Sequence, residues 1–221
     1  MRIDVISDVV CPWCLIGKRQ LERALSERPD INADIHWRPF QLNPDMPDQG
    51  RDQKAYYLEK FGSPERVREL TETMTEAGRS EGIDFDFGNI PKAPNTLSAH
   101  RLVRWAGSAG VQDQVVEALF RAYFVEARDV GNHQTLVDIG SAAGMDRALL
   151  EEFYAAGRDI DLVKGEVEQA AAMGISGVPC FIFERTYVVQ GAQQPAHFLP
   201  VIDAISGSPR PKQEAPAGSL N

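Results

Sequence analysis

A strand, a Cys-x-x-Cys and a helix follow one another at the start of the chain, and that order limits the fold more than any other feature. Arg2 to Ser7 carries Ile3, Val5 and, out of phase, Ile6, the pattern of a short strand buried on both faces. After Cys11-Pro12-Trp13-Cys14, the residues Cys14, Leu21 and Leu25 fall near one face at helical spacing. Pro12 suits the first helical position, where its missing N–H costs nothing, and Pro29 ends the helix. Ala33 to Phe40 reads as a second strand, with Ile35 and Trp37 on one side. Strand, helix and strand joined by short loops form a βαβ unit, with a right-handed crossover and parallel strands.

The middle of the chain reads as helical. Ser63-Pro64-Glu65 is a capped helix start, and Val67, Leu70, Met74 and Ala77 form one apolar stripe. Ile83, Phe85 and Phe87 alternate with aspartates as a short extended piece. Asn95 or Thr96 caps a helix carrying Leu97, Leu102, Val103 and Ala106, and Val115, Leu119, Phe120 and Tyr123 mark the next. Two shorter helices follow, around Leu136 and Ile139 and around Leu149, Leu150 and Phe153, with Gly144 as a stop between them. Beyond a helix ended at Gly174, Cys180 to Phe183 and Tyr187 to Val189 read as a hairpin turning at Glu184-Arg185-Thr186, before a closing helix from Pro195 to Ile205. With no repeat and no obvious linker, 221 residues are read as one elaborated domain ending in a frayed tail.

Composition removes several classes of function. Lys and Arg total 23 against 32 Asp and Glu, a net charge of −9 that does not suit wrapping around phosphate backbones. No apolar run approaches the ~18 residues of a membrane span, and the first residues lack a secretory pattern, so a cytoplasmic location is expected. Three cysteines are too few, and odd in number, for a disulfide scaffold of this length.

The cysteines are therefore read chemically. Free N–H groups and the dipole at a helix N-terminus stabilise a thiolate, and a second thiol one turn on can reach the first sulfur. Cys11 is then the exposed nucleophile, and Cys14 a half-buried thiol that resolves the mixed disulfide. Pro12 and Trp13 add no positive charge to the effect. Two alternatives are packed helix cysteines and half of a zinc site, the latter lacking a second matched pair. Asp8 reads as a loop or capping carboxylate ahead of a proton acceptor near the resolving thiol. His36, His133 and His197 read as structural or surface residues. In Gly177-Val178-Pro179 the proline is in itself only a turn device before a strand, since cis X–Pro bonds are about 5% of the total.

Taken together, these segments resemble a family. Ser7 to Cys14 with Gly17, Trp37 to Leu42, Asn95-Thr96 with Ala99 to Leu102, and Gly174 to Pro179 resemble the DsbA-like branch of the thioredoxin superfamily. The likeness is to the FrnE-like group, related to 2-hydroxychromene-2-carboxylate isomerases and kappa-class glutathione transferases. It implies an α/β thioredoxin fold with a βαβ half at 1–45, an all-helical insertion at 46–159, an αββα half at 160–206 and a flexible tail at 207–221. It implies that Pro179 is a cis-proline facing Cys11 and that the Val178 backbone pairs with an extended substrate. The substrate surface would also take in Pro12, Trp13, Asn95 and His100, with the His100 helix as one wall.

Relatives of the isomerase and transferase type are expected to carry serine at the position of Cys11 and to bind glutathione. Both cysteines are present here, which favours thiol–disulfide exchange with protein or small-molecule substrates. No dedicated cofactor or metal is expected; glutathione enters as redox partner or co-substrate, and the protein is a monomer or homodimer. The alternative is a glutathione-dependent isomerase or transferase acting on an aromatic small molecule. A third class, a chaperone-like binder, would leave the cysteines idle. Cys180 reads as a buried hydrophobe, or as a third thiol within reach of the pair.

Overall fold

The computed structural model describes residues 1–207, so the expected tail, from residue 208 on, lies outside the described residues. Strand β1 (Arg2–Ser7) is the spine, buried along all but its first residue. Helix α1 (Pro12–Ser26) leads from it to β2 (Asp34–Pro39), which pairs with β1 in parallel, Val5 opposite Trp37. The chain then leaves the sheet for β3 (Arg51–Asp52), α2 (Gln53–Phe61), α3 (Pro64–Arg79), β4 (Lys92–Ala93) and α4 (Leu97–Ser108). Helices α5 (Gln112–Phe124), α6 (His133–Ala142) and α7 (Arg147–Ala155) complete this excursion. It returns through α8 (Ile160–Ala172), β5 (Cys180–Phe183), β6 (Tyr187–Gln190) and α9 (Pro195–Ser206). The sheet order is β2-β1-β5-β6, with β5 antiparallel to both neighbours. This is the thioredoxin fold with a large, mostly helical insertion. Among the described residues, no helix is long and apolar enough to cross a membrane.

The insertion is not wholly helical. Arg51–Asp52 and Lys92–Ala93 form a two-stranded antiparallel ladder, and Asp52 caps α2 by accepting the Ala55 N–H at 2.8 Å. Neither this ladder nor α2 was marked by a long apolar period. Residues 83–86 join no strand or helix and Phe87 already lies in a turn; the rings turn inward, Phe85 stacking on Phe87 at 5.0 Å and meeting Phe124 edge-on at 5.1 Å. Ser63 caps α3 through the Arg66 N–H, while at α4 it is Asn95, rather than Thr96, whose side chain takes the Leu97 N–H. The β5–β6 turn is made without glycine, Glu184 and Arg185 adopting φ of +46° and +56°. Glu184 there receives the Arg2 N–H at 2.7 Å, which ties the hairpin to β1.

Side-chain alternation splits the sheet. Ile3, Val5, Trp37, Phe181 and Phe183 enter the main core, where Phe198 of α9 meets Phe181 edge-on at 5.0 Å. Ile6 and Cys180 turn to the other face and join Ala170 of α8 in a small separate cluster. Each large apolar side chain buried this way contributes about 1.5–3 kcal/mol. Gly17 lets α1 approach the sheet: a Cβ there would stand 3.0 Å from both the Pro179 and Phe181 rings. Gly17→Val is therefore expected to cost about 1–3 kcal/mol, read from the midpoint of urea unfolding.

Helix α9 is fastened to the turn after α1 by Arg28, whose Nε and Nη2 donate to the two oxygens of Asp203 at 2.7 and 2.9 Å. That pairing holds the Asp203 carboxyl below its ordinary value. A carboxylate depressed in the fold contributes stability that is complete above its unfolded pKa of about 3.9 and lost as pH falls through the folded value. Asp203→Asn should lower the melting temperature at neutral pH and narrow the difference from the parent protein below about pH 4, which a pH series of melting curves checks.

Candidate active site

The site begins where β1 ends. A turn closed by the Cys11 N–H on the Asp8 carbonyl, at 3.0 Å, sets Cys11 in extended backbone as the N-cap of α1. No side chain caps this helix, so its first-turn N–H groups and dipole are directed at the Cys11 position. Pro12 occupies the first turn and is buried, while Trp13 stands 37% exposed. Cys14 points inward and is buried. All three cysteines are free thiols.

The two sulfurs of the pair sit in different surroundings. Burial pushes the Cys14 thiol well above its usual value, and the adjacent Cys11 sulfur pushes in the same direction. The Ser7 hydroxyl and the Asp8 N–H pull weakly the other way. Ser7 Oγ itself meets the geometry of no regular hydrogen bond, so its pull is the smaller consideration beside full burial. Cys14 is thus kept protonated until a reaction removes its proton.

Across from the pair lies the loop before β5. The Val178–Pro179 peptide bond is cis, as the family resemblance implied and the bare X–Pro frequency did not. The Cys11 thiol donates to the Val178 carbonyl at 3.6 Å, joining residues 167 positions apart. The loop is held by the Gln190 amide on the Gly177 carbonyl and the Gly191 N–H on the Pro179 carbonyl, both at 2.8 Å.

Two expectations about the thiols are overturned: Cys14, expected half-buried, is fully buried at 1% accessible. Cys11 was expected to be exposed and is only 4% accessible. It is flanked by the Val178 carbonyl, and Tyr57, on the unforeseen helix α2, lies near enough to feel its charge. Burial, with that charge a smaller contributor, pushes the Tyr57 phenol up to about 12. Behind Tyr57, the Tyr123 hydroxyl donates to Gln53 Oε1 at 3.2 Å, while Gln53 Nε2 is buried without a partner. Tyr57 and Gln53 were missed because their helix has a single buried position, Gln53, and so a faint stripe. The available signals were its ends: Asp52 as cap and Gly62, at φ +90°, as stop.

Asp8 and His100 meet beneath the loop. Both are buried, with His100 Nε2 3.3 Å from Asp8 Oδ1, and Asp8 Oδ2 accepts the Leu42 N–H at 2.8 Å. Asn95 is bonded within the fold: its amide donates to the Met46 carbonyl at 2.6 Å, and its oxygen accepts from Leu97 N–H and the Gln41 amide. His36, on β2, pairs with Asp34 at 2.8 Å. Cys180 lies on the opposite face of the sheet from the main core that holds Cys11 and Cys14, and burial raises its thiol.

A dithiol at the head of the first helix, set against a cis-proline loop in this fold, defines the class of DsbA-like thioredoxin-fold oxidoreductases. Residues 2–203 match the family described as DSBA-like thioredoxin domain, and the chain belongs to that family. The uncharacterized protein YwbO of Bacillus subtilis is 24% identical over 193 residues, 87% of this chain and 90% of the relative. A structure described as a probable DsbA oxidoreductase from Streptomyces coelicolor superposes with a TM-score of 0.84 at 26% identity, covering 97% of this chain and 94% of that one. The cytosolic disulfide reductase DsbM of Pseudomonas aeruginosa, in its structure with GSH, gives 0.66 at 18% identity, over 94% and 100% of the two chains.

Position separates the three thiols: Cys11 at the N-terminus of α1, Cys14 behind it in the main core, and Cys180 on the other face of the sheet. Brief iodoacetamide treatment of the folded, reduced protein is expected to modify Cys11 alone, with Cys14 and Cys180 labelled only in denaturant. Tyr57→Ala should speed the Cys11 reaction severalfold, as followed by peptide mass spectrometry.

Proposed function

We propose that this protein is a cytoplasmic thiol–disulfide oxidoreductase of the reductase or isomerase type, belonging to the FrnE-like group. The observation that supports this best is the placement of Cys11 at the N-terminus of α1 against the Val178 carbonyl, with Cys14 held as a thiol behind it. The Cys11 thiolate attacks one sulfur of a substrate disulfide, a Cys11–substrate disulfide forms, and the other substrate sulfur leaves as a thiolate. Cys14 then loses its proton and attacks Cys11, which closes the Cys11–Cys14 disulfide and releases the second substrate thiolate. Two electrons have passed to the substrate, and two equivalents of a thiol such as glutathione restore the dithiol while becoming a disulfide. In isomerisation the second substrate thiol re-enters before Cys14 acts, with no net electron transfer.

In this reading an extended substrate segment lies along Val178 beside Pro179, with Pro12 and Trp13 at its edge. The insertion at 46–159 supplies the cover, and Asn95 and His100 shape the wall from within. Cys11 is covered closely enough that a substrate sulfur must arrive on a narrow strand or a small molecule. Glutathione meets that requirement, and the DsbM structure with GSH makes it the first thiol to try.

The test is insulin reduction driven by glutathione. Cys11→Ser should fall to the uncatalysed rate, while Cys14→Ser should accumulate a mixed disulfide on Cys11 visible by intact mass. Turnover that persists in Cys11→Ser would remove the proposal. Saturable glutathione binding without any dithiol turnover would favour the isomerase or transferase reading instead.

A further inference from the structure

Helix α8 covers only part of the sheet face that carries Asp4, Ile6 and Ile182, leaving an open cleft of ≈470 Å³ beside it. The cleft is apolar along its floor and one wall, where Ile6 and Ile182 meet Ile175 and Met173, the last 63% exposed. Its rim is cationic. Asp4 accepts from Arg2 Nε at 2.8 Å and Nη2 at 2.9 Å, and from Arg38 Nε at 2.9 Å. This clamp sets both guanidinium groups in place, while the two terminal nitrogens of Arg38 donate to no group among the described residues.

Arg185, also on the rim, is exposed in the β5–β6 turn and makes no hydrogen bond or ion pair among the described residues. Glu166, the other acid of the cleft, is already held by Arg104. Three arginines thus line the cleft against two carboxylates that are both already bonded, with Asp34 and Glu184 beside Arg2, in a chain whose net charge is −9. A general field of that sign repels anions, so any anion captured here is held by the local arrangement.

The geometry points to a second ligand site, separate from the dithiol, for a small amphipathic carboxylate. Its apolar body would lie on Ile6, Ile182 and Met173, and its carboxylate would take the planar forks of Arg38 and Arg185. An apolar cleft with a few fixed polar groups is the usual form of a small-molecule site. The site stands on the face opposite the main core in which Cys11 and Cys14 are buried, so occupancy does not require the cysteines.

Decanoate is a suitable probe, with 1-decanol as its uncharged counterpart, titrated into the full-length protein by calorimetry. Saturable one-to-one binding of decanoate is expected, with 1-decanol at least about tenfold weaker, a difference of ~1.4 kcal/mol. Arg185→Glu and Met173→Glu alter exposed positions, so the fold is retained, and each should weaken decanoate about tenfold. Binding should be unchanged in the Cys11→Ser/Cys14→Ser protein, in which the oxidoreductase reaction is abolished. Absence of saturable binding, binding indifferent to both charge variants, or binding lost with the cysteines would each overturn the proposal.

Discussion

The antiparallel ladder between β1 and β5 is the interaction on which the rest depends. It pairs Ile3 with Phe183 and Ile6 with Cys180, near the two ends of the chain. Closing a loop of that length costs entropy that grows only as the logarithm of its size, and the aromatic core behind the ladder outweighs it. The chemistry is a direct product of this closure. Strand β1 delivers the turn that presents Cys11, β5 delivers the loop that presents Val178, and adjacency in the sheet sets the two sites within contact. Gly17 completes the arrangement by letting α1 sit down on Pro179 and Phe181.

The insertion then changes what an open dithiol site would be. Its junction with the core is polar and buried, and each group there is costly to bury without a partner. Asp8 meets this requirement through His100 and the Leu42 N–H, and Asn95 meets it by bridging Gln41, Met46 and Leu97. The result locks the start of the insertion and α4 onto the loop that precedes Cys11. Helix α2 is held differently, with one buried amide nitrogen of Gln53 unpartnered and several apolar side chains still exposed or half-exposed. An element with few buried apolar groups is the one that opens most readily, and α2 is such an element beside Cys11.

Much of this was legible in the residues. The βαβ opening announced itself through Pro12, the helical period to Leu25 and the Ile35/Trp37 alternation, because each is a local signal with a local cause. The hairpin at Glu184 and the capped start at Ser63 were legible for the same reason. Helix α2 was not, since nine residues with one buried position leave little period to detect. Asn95 and Asp8 could be named as caps or loop residues, yet their partners at Met46 and His100 are set by distant contacts that no spacing encodes. Cys180 shows the limit well: its sequence neighbourhood allowed a third redox thiol, while strand alternation in the folded sheet turned it to the other face.

By itself, then, the chain's order of residues determined the class of fold, the pair of thiols at a helix head and the proline that opens a strand. These depend on backbone geometry and short-range periodicity, which act within a few residues. Tertiary structure alone decided that Cys11 is covered, that its sulfur meets the Val178 carbonyl, and that Cys180 stands apart. Those outcomes depend on which surfaces are removed from water together, a property of the assembled chain that no short stretch of it carries.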